Sequence, residues 1–191
     1  MCLFEAGQVR IRKLDVDTIG RAELGGVLAE PGGLFSATYG VFDVGPDILE
    51  VLPGTGNIQS ISNYNDFILH AEFRIPSPPD SGNGNSGIFL RCANPKAAGA
   101  DTCYEVNVFD TRPDPSYGTG GIVDVAKVTT PIKTGGKWNT YEIRAQGSHL
   151  VVTLNGTKTV DVQDAKHARG PFALQWGAGV VKFRSVQIRP L

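Results

Sequence analysis

Apolar and polar residues alternate with a period of two along much of this chain. Phe67-Ile68-Leu69-His70-Ala71-Glu72-Phe73-Arg74 is the clearest case, followed by Thr140 to Ala145, Leu150 to Leu154, Phe172 to Trp176 and Val180 to Ile188. Leu154-Asn155-Gly156-Thr157 carries an Asn-Gly pair between two such runs, which predicts a tight hairpin. No long stripe of period 3.6 appears. The best helical candidate, 15–25, is interrupted by Gly20, Gly25 and Gly26. Many short strands with frequent turn signals predict an all-β fold, a sandwich of two antiparallel sheets.

Two further alternating runs place polar groups where a plain sandwich strand would carry bland surface. In Asn85-Ser86-Gly87-Ile88-Phe89-Leu90-Arg91, alternation puts Ser86, Ile88 and Leu90 on one face and Asn85, Phe89 and Arg91 on the other. In Tyr104-Glu105-Val106-Asn107-Val108-Phe109-Asp110, Glu105 and Asn107 share the face opposite Val106 and Val108. Together the runs predict a polar floor that can meet a polar ligand. The loops 76–84 and 112–121 adjoin these strands, are rich in Gly, Pro, Ser and Asp, and are candidates for the rim of a site. A cross-strand ion pair between Arg91 and Glu105 is an equally serviceable reading of those two charges.

Composition narrows the class. The 191 residues suit one domain with a full core, and 41% hydrophobic with 19% charged residues is ordinary for a globular chain. A net charge of -1 argues against nucleic acid and anionic membrane as partners, because both require a basic footprint. No apolar run approaches the roughly 20 residues that span a bilayer. The start, Met1-Cys2-Leu3-Phe4-Glu5, does not read as a signal peptide. Cys92 and Cys103 flank a short loop and could close it with a disulfide, which leans the expectation toward a periplasmic or extracellular protein whose export signal lies outside this chain. Simple alternation puts them on opposite faces, so a bridge requires a bulge or that both residues lie beyond the paired region; two reduced thiols are the alternative.

Val9-Arg10-Ile11-Arg12-Lys13-Leu14 echoes Val186-Gln187-Ile188-Arg189-Pro190-Leu191. This predicts that residues 1–29 are an N-terminal extension holding the closing strand of a preceding copy of the domain, and that 30–191 form the sandwich. A second copy in a longer protein, or pairing of the orphaned strand with a neighbouring chain, follows as an expectation.

A set of signposts in order gives a sharper reading. They are Tyr64-Asn65-Asp66-Phe67 with Glu72-Phe73-Arg74, Asn85-Ser86-Gly87-Ile88 with Arg91, Tyr104-Glu105 with Asp110, Gly120-Gly121-Ile122, Trp138-Asn139, Leu154-Asn155-Gly156, Leu174-Gln175 and Phe183-Arg184. With these, residues from about 34 to 191 resemble the 3-keto-disaccharide hydrolase domain, a family similar in fold to concanavalin-type lectins and laminarinases. The resemblance implies a jelly-roll sandwich. The chain departs from the family pattern at Gly177, where His is frequent, at Val123, where an aromatic is common, and at Ser185, where Asn is usual.

The resemblance also implies cleavage of a glycoside whose sugar carries a ketone at C3. That ketone acidifies the C2 hydrogen, so removing the proton lets the C1 substituent depart, and water addition completes a net hydrolysis. Such chemistry needs a base, donors for the enolate oxygen and an acid for the leaving oxygen. On this reading Glu105 is the base, Arg91 the clamp, Asp110 or Lys127 a second acid or positioning group, and Asn85, Asn107 and Gln175 hold sugar hydroxyls. Blander roles stand beside these: Asp110 as a turn former, Lys127 as a solvated strand residue, Trp138 and Trp176 as core.

No cofactor is expected. Carboxylates and carbonyls near the loops could hold a divalent cation such as calcium, but no ligand run marks a site, and none of the three His residues has metal-ligand spacing. Two other functions compete. A retaining glycosidase would need two carboxyl groups about 5 Å apart, and Glu105 and Asp110 fall on opposite faces of a regular strand. A non-catalytic, lectin-like oligosaccharide-binding module would use the same polar floor without the acid–base work.

Overall fold

The structure, a computed structural model, describes residues 9–11, 35–38, 42–45, 48–51, 56–60, 63–77, 84–94 and 97–191. Its strands are β1 (Val9–Ile11), β2 (Phe35–Thr38), β3 (Phe42–Gly45), β4 (Ile48–Val51), β5 (Gly56–Ser60), β6 (Phe67–Arg74), β7 (Ser86–Leu90), β8 (Tyr104–Val108), β9 (Asn139–Gln146), β10 (His149–Leu154), β11 (Thr157–Gln163), β12 (Ala173–Trp176) and β13 (Val181–Pro190). They form two antiparallel sheets, as the alternation predicts. One runs β11-β10-β9-β6-β13-β4-β3, with β1 also on β13; the other runs β2-β5-β12-β7-β8. The helical candidate at 15–25 and part of the 76–84 loop lie outside the described residues.

Alternation explains why the two sheets face each other. On β6, Phe67, Leu69, Ala71 and Phe73 are buried while His70 and Arg74 are exposed. On β9, Tyr141, Ile143 and Ala145 are buried, alternating with exposed Thr140, Glu142 and Gln146 and half-buried Arg144. These meet Ile88, Leu90, Tyr104, Val106 and Val108 from the second sheet in one continuous core. Each such side chain taken fully out of water contributes roughly 1.5–3 kcal/mol. Tyr141 stacks on Phe73 at 4.9 Å and donates its hydroxyl to the Asn107 carbonyl, 2.6 Å away, tying the first sheet to β8. The predicted Asn-Gly turn is present: Asn155 and Gly156 have φ of 50° and 79° and join β10 to β11. Trp176 packs against the core as expected; Trp138 is half-buried.

The echo strand β1 is not orphaned. Val9, Arg10 and Ile11 register against Ile188, Gln187 and Val186 of β13, so the two similar segments pair with each other in one sheet.

Cys92 and Cys103 form a disulfide. What resolves the parity problem is Arg91, whose φ of 51° lies in the left-handed region. That one residue breaks the alternation after β7 and turns Cys92 to the outer face. There it clusters with Cys103, Phe89 and Ala173, and Ala98 packs against the group. Closing so short a loop removes denatured-state entropy worth about 3 kcal/mol. Reduction is therefore expected to lower the melting temperature by several degrees, and a melt with and without a phosphine reductant checks it.

Candidate functional site

The outer face of the second sheet carries the polar groups. Backbone pairing sets them in rows that cross the strands. Asn107 registers with Gly87, Gly87 is in line with Gln175, and Gln175 registers with Asn57; one row over, Glu105 registers with Phe89, Phe89 with Ala173, and Ala173 with Gln59. Glu105, Asn107 and Gln175 thus share one face, as the sequence predicts.

Gly87 is the pivot of this face. A Cβ built on it would lie 2.9 Å from Glu105 Cγ, 3.1 Å from Glu105 Oε1 and 3.3 Å from Gln175 Oε1. The carboxyl and the amide therefore lie over a bare Cα, and only glycine leaves them room. Ser86, on the inward side, donates to the Gln175 carbonyl at 2.5 Å and fixes β12 against β7. Gly87→Ala is expected to fold yet push the Glu105 carboxyl out of place. Its circular dichroism should match the parent, while ligand affinity or turnover falls at least tenfold.

Glu105 is only 8% exposed, and its pKa is raised to about 7. Loss of hydration is the main cause, with Phe89 as its register neighbour. The Arg112 guanidinium pulls in the opposite direction, Asp124 adds to the rise, and a hydrogen bond with the Gln175 side chain lowers it slightly. A carboxyl group poised near neutrality beside a polar row is suited to exchange protons with a ligand.

The segment after β8 folds back as an extra edge. Asn107 N–H donates to the Gly121 carbonyl (2.9 Å), Gly120 N–H to the Asn107 carbonyl (3.1 Å) and Val123 N–H to the Glu105 carbonyl (3.0 Å). The same segment brings Arg112 and Asp124 to Glu105. Asn107 is fully buried beneath it and donates its amide to the Tyr117 carbonyl at 2.6 Å. Three side-chain amide oxygens, those of Asn57, Asn107 and Gln175, are buried and have no hydrogen-bond partner among the described residues. Buried polar atoms are nearly always paired, so acceptors aligned in this way leave room for a donor from solvent or a ligand.

Several expected site residues are elsewhere or otherwise occupied. Arg91 does not reach Glu105. Its left-handed backbone turns the side chain inward, where it is 1% exposed. The guanidinium donates to the carbonyls of Asn65 (2.7 Å), Gly147 (2.7 Å) and His167 (3.2 Å) and pairs with Asp66 at 3.2 Å. It stitches three loops at one end of the sandwich, and neither the clamp nor the Arg91–Glu105 ion pair is formed. Asp110 is a second stitch. Its carboxylate accepts from the Thr119 hydroxyl (2.6 Å), the Thr134 hydroxyl (2.9 Å) and N–H (2.5 Å), and the Gly135 N–H (3.0 Å). Each carboxylate oxygen thus accepts two hydrogen bonds, and Asp110 serves to hold the 134–135 turn and Thr119 to the end of β8.

Lys127 is exposed and sits 5.7 Å from the centre of the Tyr117 ring. Asn85 immediately precedes β7, in an isolated bridge to Ala178, and its backbone bonds Gly177 and Ala178. A Cβ at Gly177 would lie 2.9 Å from Asn85 Nδ2, so the glycine that stands where the family often has His makes room for this amide.

Four contributors escape the sequence reading: Arg112, Asp124, Gly87 and Asn57. Arg112 and Asp124 belong to a segment without periodicity, and Asn57 to a short strand with weak alternation. Among the described residues no group of three or more His, Cys, Asp or Glu is arranged to hold a metal ion, and no helix is long and apolar enough to cross a membrane.

The fold recurs in solved structures. A glycosyl hydrolase candidate from Parabacteroides distasonis superimposes with a TM-score of 0.69 at 21% identity, covering 81% of this chain and 93% of that one. The carbohydrate-binding module CBM66 from Bacillus subtilis gives 0.63 at 19% identity, covering 80% and 94%. The mannose- and calcium-bound exoplasmic/lumenal domain of VIP36 gives 0.58 at 10% identity, covering 83% of each chain. These likenesses establish a concanavalin-like jelly-roll sandwich. No curated protein matches the chain in sequence. Residues 40–189 match the family profile described as the 3-keto-alpha-glucoside-1,2-lyase-like domain, the family that the signposts from Tyr64 to Arg184 indicate; the chain belongs to this carbohydrate-related family.

Proposed function

We propose that this domain cleaves 3-keto-α-glucosides, with Glu105 as the base that removes the C2 proton. The observation that carries the reading is the Glu105 carboxyl, laid over Gly87 beside Gln175, with its pKa raised to about 7. In the reaction, the C2–H proton passes to Glu105 and the electron pair becomes an enolate across C2 and C3. Reforming the C3 ketone drives the pair into a C1=C2 bond and breaks the bond from C1 to the leaving oxygen. The protonated Glu105 returns its proton to that oxygen. Water then adds across the double bond, hydroxyl at C1 and proton at C2, for a net hydrolysis.

Arg112 takes the role first expected of Arg91, a cation near the developing enolate. Gln175 and Asn85 offer amides to the ring hydroxyls. Asn107 acts through the loop it holds, and Lys127 from the rim.

Incubating the protein with 3-keto-trehalose and following glucose release by chromatography tests the reading. Release that depends on the protein is expected.

A second reading, an oligosaccharide-binding module, draws support from the likeness to CBM66 and to a mannose-bound lectin domain. It is also favoured by the engagement of Arg91 and Asp110 in the scaffold. Saturable binding of the keto-sugar without turnover would select it. Under either reading, the Cys92–Cys103 disulfide is consistent with an extracellular or periplasmic location.

A further inference from the structure

We propose that the loop closed by Cys92 and Cys103 is a wall of the site, and that with Phe89 it positions Glu105 by keeping water from one flank of the carboxyl; the inference rests on Glu105 being the working base. Glu105 registers with Phe89, and Phe89 with Ala173, so all three face outward from the second sheet. An outward side chain on an antiparallel sandwich is ordinarily wet. Here Phe89 is 1% exposed and Ala173 is fully buried. Both belong to a cluster with the two cysteines that is separate from the inner core, and Ala98 of the loop packs against it.

The loop is held in place by bonds of its own. Ala93 N–H donates to the Thr102 carbonyl (2.8 Å), Cys103 N–H to the Gly99 carbonyl (2.9 Å) and the Thr102 hydroxyl to the Ala97 carbonyl (2.6 Å). The disulfide pins its two ends. Cys103 stands two residues before Glu105, so alternation sets their side chains on one face, about 7 Å apart along the strand. Phe89 lies across from Glu105, with about 5 Å between Cβ atoms. The carboxyl thus has an apolar flank, made by Phe89 and the disulfide, and a polar flank over Gly87, where it meets the Gln175 amide. The charged groups acting on it, Arg112 and Asp124, come from the segment after β8. Strands β7 and β12 carry no charged residue, and Arg91 beyond β7 is turned inward. An apolar flank withholds hydration from the anion and so favours the protonated form; water admitted there reverses this.

The test follows the Glu105 carboxyl itself by carbon-13 NMR titration, its resonance assigned by its absence in Glu105→Gln. In the parent the midpoint lies at about 7. Phe89→Thr keeps a strand-forming residue but removes the ring, and should bring the midpoint down toward 4.5 by at least about one pH unit. Cys92→Ala combined with Cys103→Ala frees the loop and should move it in the same direction; should that pair not fold, Ala98→Gln, which sets a polar group against the cluster, takes its place. Phe89→Leu restores an apolar flank and should return the midpoint close to the parent value. With 3-keto-trehalose, the rising limb of rate against pH should shift by the same interval in each variant, whereas a merely structural role would lower the rate and leave the limb where it was. A parent midpoint near 4.5 overturns the proposal. So does a midpoint unmoved in Phe89→Thr or in the loop variant, or one that Phe89→Leu displaces as far as Phe89→Thr. If the parent turns over no substrate, the cleavage reading fails separately, and the titration still decides whether the loop shelters the carboxyl.

Discussion

Glu105→Gln is expected to lower turnover of a 3-keto-α-glucoside by 10²–10⁴-fold, the usual range for loss of a positioned general base. The substitution preserves size and hydrogen-bonding shape over Gly87, so substrate affinity should change little and the loss should fall on kcat. In the parent, activity should rise with pH through about 7, because the base works ionised and its pKa lies there.

The same shift has a consequence for stability with the opposite sense. A carboxyl raised from 4.5 to about 7 in the folded state favours the protonated form. Its stabilising contribution is complete below 4.5 and is lost as pH rises through 7, a change on the order of 3 kcal/mol. Glu105→Gln, which cannot ionise, should therefore melt higher than the parent at pH 8 and no higher at pH 4. Lower activity combined with higher stability at alkaline pH is the signature of a functional group held in an unfavourable setting. Denaturation curves at the two pH values, together with initial rates, measure both halves.

The second large effect concerns Arg91. Arg91→Met keeps much of the buried stem but removes the donors to Asn65, Gly147 and His167 and the partner of Asp66. Three loop carbonyls then lose a charged donor inside the protein. Breaking one side of such a buried network costs roughly 3–5 kcal/mol, which in a domain of this size corresponds to a fall in melting temperature of about 10 °C or more. Arg91→Lys should recover only part, since an ammonium cannot spread its donors as a guanidinium does. Urea or thermal unfolding reads the effect. A variant at this position that melted like the parent while losing all turnover would return Arg91 to the active site.

The Glu105 and Arg91 pair shows how far alternation carries a reader. Period two placed Glu105, Asn107 and Gln175 on one face correctly, because β8 and β12 are regular strands and nothing within them breaks the pleat. It placed Arg91 there too, and failed, because a single left-handed residue reverses the direction of its side chain. Nothing in the local sequence announces a positive φ at an arginine. The disulfide two chain positions beyond β7 was legible as a possibility for the same reason that its parity was not: both depend on that kink.

Asp110 illustrates a different limit. Its partners Thr134 and Gly135 lie more than twenty residues away in sequence, in a loop whose path is set by packing rather than by pattern. Arg112 and Asp124 reach Glu105 only because backbone bonds fold residues 120–123 onto β8. The sandwich was readable because its strands repeat. The charges around the carboxyl were not, because loops carry them. His167, set in a hydrophilic run, is likewise buried against Tyr104 at 4.9 Å once its loop docks.

The central claim is that C2 loses its proton to Glu105 before the glycosidic bond breaks. A 3-keto-trehalose labelled with deuterium at C2 of the keto ring tests it directly, with the released keto-sugar analysed by mass spectrometry. The label should be washed out to solvent in the product formed by the parent, and Glu105→Gln should slow product formation and loss of the label together, by the same 10²–10⁴-fold. Product that retains its C2 deuterium would show that the bond breaks by ordinary hydrolysis, and would contradict the mechanism at its first step.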